Sequence, residues 1–221
     1  MARPLLKVCG LRDPDQARAV AALGVDALGV IGVAASPRHV EPAARSALFE
    51  AVAAERPGCL RVLVVADPSE ADLPQLDASA AHQVVQLHGS ESPRRCRELR
   101  QRLPGLLWWK ALRIRTPADL ELAGSYAGEV DALLLDAWVP DQLGGTGHRL
   151  PLEWLRQFRP SVPWWLAGGI TPERVPEVLH ELRPDGLDAS SGVEDAPGVK
   201  NLQRVAALVA AVSGRGGTPA A

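Results

Sequence analysis

The sequence predicts an α/β protein, a single (β/α)8 barrel of the TIM type, and three observations point there. Strand-like apolar runs alternate strictly with helix-like segments, eight of each, along 221 residues. The strands are mostly apolar on both faces, which is how a parallel sheet covered by helices reads. Glycine- and serine-rich loops follow the seventh and eighth strands, where such barrels commonly bind phosphate. Strict alternation would also suit an open doubly wound sheet. The first strand-to-helix turn, Cys9-Gly10-Leu11-Arg12, lacks the glycine-rich dinucleotide fingerprint of that fold.

The elements follow in order. Strand Leu5–Cys9 leads to a helix opened by Asp13-Pro14, an N-cap followed by a proline whose φ already suits the first turn. Apolar Ala17, Val20 and Ala21 keep the helical period, and Gly24 marks its end. Val25–Val33 is the second strand and Pro42–Ala54 its helix. Leu60–Ala66 is the third, with a weak helix over Pro68–Ala80 that carries an unfavourable Pro74. Gln83–Leu87 precedes a helix over Ser92–Leu103, ended by Pro104-Gly105. Leu106–Ala111 precedes Thr116–Ala123, which opens on Thr-Pro. Val130–Leu135 runs into the glycine-rich loop Leu143-Gly144-Gly145-Thr146-Gly147 and a short helix, Leu152–Phe158. Pro163–Ala167 precedes a helix opening at Thr171-Pro172, and Gly186–Ala189 precedes the closing helix Asn201–Val212. One barrel domain is expected over residues 1–212. Residues 213–221 have nothing to bury and read as a disordered tail.

A net charge of -2 gives no footprint for a nucleic-acid partner or an anionic membrane surface. The one basic cluster, Arg94, Arg95, Arg97, Arg100 and Arg102, has Glu91 and Glu98 among it and reads as a solvated helix face. No segment approaches the roughly 20 apolar residues of a membrane span. Met1-Ala2-Arg3-Pro4 enters a strand directly, without the apolar core of a signal peptide. Three scattered cysteines, Cys9, Cys59 and Cys96, read as reduced thiols of a cytoplasmic protein.

Two loops suggest phosphate binding: Ala167-Gly168-Gly169-Ile170-Thr171-Pro172 and Asp188-Ala189-Ser190-Ser191-Gly192. Glycines let backbone amides approach an anion closely, and serines add hydroxyl donors. Two strand tips carry titratable groups on the same rim. Cys9 ends the first strand and would serve as a base if its pKa fell below the ordinary value of about 8.5. Lys7, two residues back on the same strand face, is a candidate source of positive charge. Asp136 follows three leucines of the sixth strand, and the Ala-Trp-Val-Pro after it starts no helix to cap. A semi-buried carboxyl there would suit a general acid. Cys59 and Cys96 read as small buried hydrophobes. His88, ending Val85-Gln86-Leu87-His88, is open between an acid–base group and a hydrogen-bonded structural histidine. The fork of Arg38, after the second strand, suits a substrate carboxylate. His39, His82, His148 and His180 are assigned to the surface or the framework, and Trp108-Trp109 and Trp164-Trp165 to core packing.

Taken together, the sequence resembles the phosphoribosylanthranilate isomerases of tryptophan biosynthesis. The resemblance rests on Lys7-Val8-Cys9-Gly10-Leu11, Gly24-Val25-Asp26-Ala27-Leu28-Gly29, Ser36-Pro37-Arg38, Val85-Gln86-Leu87-His88-Gly89, Leu134-Leu135-Asp136, Gly144-Gly145-Thr146-Gly147, Leu166-Ala167-Gly168-Gly169 and Asp188-Ala189-Ser190-Ser191-Gly192-Val193-Glu194. It implies an Amadori rearrangement of N-(5-phosphoribosyl)anthranilate to 1-(2-carboxyphenylamino)-1-deoxyribulose 5-phosphate, without metal or organic cofactor. Asp136 would be the general acid that opens the furanose ring, and Cys9 the general base that removes the C2′ proton. Arg38 would hold the anthranilate carboxylate. Gly168, Gly169, Ser190, Ser191 and Gly192 would bind the phosphate, with His88 also in the substrate site. The implied partner is a small phosphoribosyl molecule, with neither nucleic acid nor membrane; monomer and homodimer both stay open. Three places depart from the usual pattern: Gly32-Val33-Ala34-Ala35 stands where bulky aromatic residues are usual, Asp67 replaces Asn, and His148 replaces Lys. Another phosphosugar isomerase or epimerase, or a non-catalytic phosphosugar-binding barrel, are the competing readings.

Overall fold

Each strand pairs in parallel with the next along the chain, and the last returns to the first. In the computed structural model, which describes residues 3–77, 81–137 and 149–214, the result is a closed eight-stranded barrel. The strands are β1 (Leu5–Cys9), β2 (Ala27–Ile31), β3 (Leu60–Val65), β4 (Val84–Leu87), β5 (Leu107–Ile114), β6 (Ala132–Ala137), β7 (Trp164–Leu166) and β8 (Gly186–Ala189). Closure sets Lys7 of β1 opposite Asp188 of β8.

Two apolar layers explain why the strands read as hydrophobic on both faces. The larger lies between barrel and helices. The smaller fills the interior with Ala27, Val62, Val64, Val84, Trp109, Ala111, Ala132, Leu134 and Trp165, and Cys9 lies at its edge. Trp109 and Trp165 meet inside the barrel with ring centroids 4.7 Å apart, whereas Trp164 turns outward against Phe158. Large rings demand small neighbours: a Cβ on Gly186 would lie 2.2 Å from the Trp165 ring.

The helices are α1 (Pro14–Ala22), α2 (Pro42–Glu55), α3 (Leu73–Leu76), α4 (Pro93–Arg102), α5 (Leu152–Leu155), α6 (Val175–Glu181) and α7 (Leu202–Val212). Side chains of Asp13, Ser92 and Asn201 accept from the amides of Gln16, Arg95 and Arg204 and cap α1, α4 and α7, each cap contributing about 1 kcal/mol. Some expectations needed correction. The third connection is a 3₁₀ turn, Glu70–Asp72, followed by the single-turn α3, because Pro74 is tolerated only in a first turn. The fifth is a 3₁₀ helix over Pro117–Tyr126, whose buried Ala123 and Tyr126 keep a three-residue spacing. α5 stops at Leu155, and α6 begins at Val175 after a turn. After β8 an unanticipated hairpin forms from β9 (Glu194–Ala196) and β10 (Val199–Lys200). Residues 215–221, most of the expected tail, and the glycine-rich loop 143–147 lie outside the described residues.

The arginines of α4 face solvent as expected, paired with Glu98, Glu70, Glu129 and Asp131. Such exposed pairs contribute little each. Among the described residues, no helix is long and apolar enough to cross a membrane.

Burial pushes the Cys59 thiol up to about 11, the Cys96 thiol to about 12 and the Tyr126 phenol to about 12. The unfolded chain releases these protons first as pH rises, so the folded state is proton-rich and loses stability in alkali. The urea midpoint should therefore be unchanged by these groups below about pH 8 and fall progressively between about pH 9 and 12. Replacing both cysteines with alanine should flatten part of that fall.

Candidate active site

The C-terminal ends of the strands surround one pocket, lined by Cys9, Arg38, His88, Asp136, Asp188 and the loops at Gly168-Gly169 and Ser190-Ser191-Gly192. Every residue that the sequence assigns to the site is therefore brought together on one rim.

Cys9 is buried at the end of β1, and space for its sulfur comes from β2. A Cβ on Gly29 would fall 2.7 Å from Cys9 Sγ. Burial raises the thiol's pKa; the Lys7 ammonium opposes this and the Asp188 carboxylate adds to it, leaving the thiol above its ordinary range. Lys7, the candidate source of positive charge, does pull the thiol's pKa down, but not enough to overcome burial. Lys7 Nζ lies 3.0 and 2.9 Å from the two Asp188 oxygens, so most of its charge is matched inside the barrel.

Asp136 is the penultimate residue of β6 and only 6% exposed, so it is buried rather than semi-buried. Its Oδ1 accepts from the Ala137 amide at 2.9 Å, and Oδ2 lies 3.6 Å from His88 Nε2. His88 Nδ1 meets the Gln86 side-chain amide nitrogen at 3.0 Å. With that amide donating, the ring proton resides on Nε2 and faces the Asp136 carboxylate. Both readings of His88 thus meet in one residue, which is hydrogen-bonded on one side and turned to the pocket on the other.

Arg38 is not a free fork. Its Nε and Nη2 engage Glu194 at 2.9 and 2.6 Å, both partners being buried. Glu194 also receives Lys200 Nζ at 2.5 Å and the Gly198 amide at 3.1 Å. Lys200 reaches on to the carbonyls of Cys9 at 2.5 Å and Ser190 at 3.3 Å. The β9–β10 hairpin therefore anchors the arginine, the end of β1 and the loop after β8 together.

The loops after β7 and β8 pack directly on each other. A Cβ on Gly192 would sit 2.2 Å from the Ile170 carbonyl oxygen, and Gly168 and Gly169 adopt positive φ values of 85° and 63°. Among the described residues, the amides of Gly168, Gly169, Ser191 and Gly192 donate to no backbone carbonyl. Four such amides on residues that line one concavity are the kind of donor that an anion can accept from. The Ser190 hydroxyl is used differently, donating to the Cys9 carbonyl at 3.1 Å.

Asp67 does not line this pocket. With φ of 47° it receives the Ser90 amide at 2.7 Å and gives its own amide to Glu91 at 2.6 Å, tying the β3 and β4 tips together. His82 bonds to the Leu76 carbonyl, His39 lies 3.4 Å from Glu41, His180 is exposed, and His148 lies outside the described residues. Sequence reasoning did not single out Gln86, Asp188, Glu194, Lys200 or Arg174 as site or supporting groups. Asp188 sits in the serine motif and Gln86 beside His88, so both had a local signal. Among the described residues, no three His, Cys, Asp or Glu side chains are arranged to hold a metal ion.

Known proteins match this arrangement. Residues 6–211 match the family described as N-(5'-phosphoribosyl)anthranilate (PRA) isomerase. An N-(5'-phosphoribosyl)anthranilate isomerase of Synechocystis is 48% identical over 203 residues, covering 92% of this chain and 93% of that protein. The crystal structure of phosphoribosyl anthranilate isomerase from Thermus thermophilus superposes with a TM-score of 0.81 at 36% identity, covering 95% of this chain and 98% of that one. An isomerase of this kind in complex with reduced 1-(o-carboxyphenylamino)-1-deoxyribulose 5-phosphate has a TM-score of 0.78 at 27% identity, covering 96% and 99%. The chain accordingly belongs to the phosphoribosylanthranilate isomerase family, the (β/α)8-barrel isomerases of tryptophan biosynthesis.

Proposed function

We propose that the chain rearranges N-(5'-phosphoribosyl)anthranilate with Asp136 as general acid and Cys9 as general base. The observation that carries this reading is that Cys9 on β1 and Asp136 on β6 line one pocket with the last two loops, whose amides at Gly168, Gly169, Ser191 and Gly192 donate to no backbone carbonyl among the described residues. Asp136 gives its proton to the furanose ring oxygen as the C1′–O bond breaks. The lone pair of the anilino nitrogen fills in, and a cationic Schiff base forms. Cys9 then removes the C2′ proton, and the electron pair of that bond neutralises the nitrogen. The resulting enolamine tautomerises to the ketone.

Electrostatics fit this order. Burial holds the Cys9 thiol protonated, and a cation formed beside it favours release of that proton to solvent, leaving the thiolate that acts as base. His88 holds a proton on the nitrogen facing Asp136, which steadies the carboxylate left after ring opening. The remaining edge of Arg38 serves the anthranilate carboxylate, and the loop amides with Ser190 nearby serve the phosphate. A small phosphoribosyl molecule rather than a nucleic acid is the partner, and three unpaired buried thiols support a cytoplasmic setting. Adding the chain to the substrate should make the anthranilate fluorescence decay at a rate proportional to enzyme concentration. Tight binding without decay would overturn the catalytic reading in favour of a binding barrel.

A further inference from the structure

We infer that Arg174 is a positioning residue for the phosphate site, aiming the Gly169 amide into the pocket from behind the loop. The inference rests on the phosphate assignment above. Arg174 stands in the turn before α6 and is 5% exposed. Its Nη1 donates to the Gly168 carbonyl at 2.5 Å and its Nη2 to the Leu150 carbonyl at 3.2 Å. Both partners are neutral carbonyls, so the buried charge meets no carboxylate at hydrogen-bond distance among the described residues. Burial and the Arg149 charge draw its pKa below the usual arginine value, partly offset by Glu177, yet a guanidinium stays protonated at neutral pH.

The geometry converts that contact into an orientation. In a trans peptide the carbonyl and the following N–H point in opposite directions, and the described chain contains no cis bond. Holding the Gly168 oxygen toward Arg174 therefore turns the Gly169 N–H toward the opposite side, where the pocket lies. This peptide needs such a hold. It is flanked by two glycines at positive φ, where no Cβ limits the backbone, so rotation of the plane meets little steric resistance. A charge-assisted bond to one end selects one orientation. The second arm, on Leu150, ties the same guanidinium to the chain leading into α5. A buried cation with no carboxylate at hydrogen-bond distance among the described residues is only partly compensated by Glu177, and a phosphate dianion across the loop adds counter-charge.

The test uses Arg174→Gln and Arg174→Lys with three readouts. Inorganic phosphate, titrated into the wild-type protein, should move the Gly169 amide resonance. In Arg174→Gln that movement should shrink, the inhibition constant for phosphate should rise about tenfold, and KM should rise more than kcat falls. Inhibition by anthranilate, which carries no phosphate, should stay within about twofold, and Arg174→Lys, with the charge but no fork, should fall between. A merely structural arginine would lower thermal stability while leaving the phosphate-to-anthranilate ratio unchanged, and that result would overturn the proposal. If the wild-type Gly169 amide ignores phosphate, the phosphate assignment itself fails instead. Should Arg174→Gln not fold, the same ratio in Arg174→Lys decides.

Discussion

Replacing Asp136 with asparagine should lower kcat about 100- to 10,000-fold, the range for losing a general acid, and Cys9→Ala should do the same for the base. Asparagine preserves the shape of the side chain and its acceptor for the Ala137 amide, so the end of β6 keeps its geometry. What disappears is the transferable proton. Alanine at Cys9 removes one buried sulfur from a niche that Gly29 leaves open, a modest packing loss. Since both groups act in one sequence of steps, their losses should not add, and the double variant should be little slower than the worse single one. The two should separate in pH. The thiolate is the working form of Cys9, burial raises the thiol's pKa, and Asp136 works protonated, so kcat/KM of the wild type should be bell-shaped, while activity left after loss of the acid should climb beyond the ordinary thiol value of about 8.5. Residual activity of Cys9→Ala should lack that climb, whereas Asp136→Asn should show it. Turnover within tenfold of wild type in either variant would overturn the assignment.

The fold was legible because alternation is a local property. Asp13-Pro14 opens a helix, Gly24 ends it, and an apolar run such as Leu133-Leu134-Leu135 suits a strand buried on both faces, wherever these sit in the chain. The tips were legible for the same reason, since Cys9 and Asp136 close such runs. Pairings across the barrel leave no local trace. Lys7 and Asp188 meet across 181 positions, so Lys7 read as a free charge for Cys9 although closure of the barrel gives it a carboxylate. The pairing of Glu194 with Lys200 and Arg38 is similarly silent: Glu194 closes the serine motif, but nothing local marks the hairpin that draws it and Lys200 inward. Gly32, where the family usually has bulk, has a packing explanation, since a Cβ there would approach the buried Arg45 guanidinium to 3.0 Å. The weak third helix is the one whose breaker is visible in the sequence: Pro74 fits only a first turn, and α3 is that single turn.

Glu194→Ala should destabilise the fold by about 3–5 kcal/mol, because it leaves two buried cations, Arg38 and Lys200, without their shared carboxylate. The loss should exceed that of Glu194→Gln, whose amide oxygen still accepts one hydrogen bond. Replacing Arg38, Glu194 and Lys200 together with methionine should recover much of it, since an apolar set of similar volume has no charge to desolvate. The consequences for the site differ from those for the fold. Without Glu194, Arg38 loses the three contacts that fix its plane, and Lys200 loses the anchor from which it holds the carbonyls of Cys9 and Ser190. KM should rise in the methionine triple variant even where the urea midpoint returns. Acid supplies an independent check. Burial raises the pKa of Glu194, but Arg38 and Lys200 outweigh it and hold the carboxyl below its usual value. Its contribution is therefore present above the unfolded value of about 4.3 and is lost as pH falls through the depressed folded value. Wild-type protein should lose more stability than Glu194→Gln between about pH 5 and 3. Equal slopes, or a loss below about 1 kcal/mol in Glu194→Ala, would show that the hairpin's charge cluster does not hold this rim together.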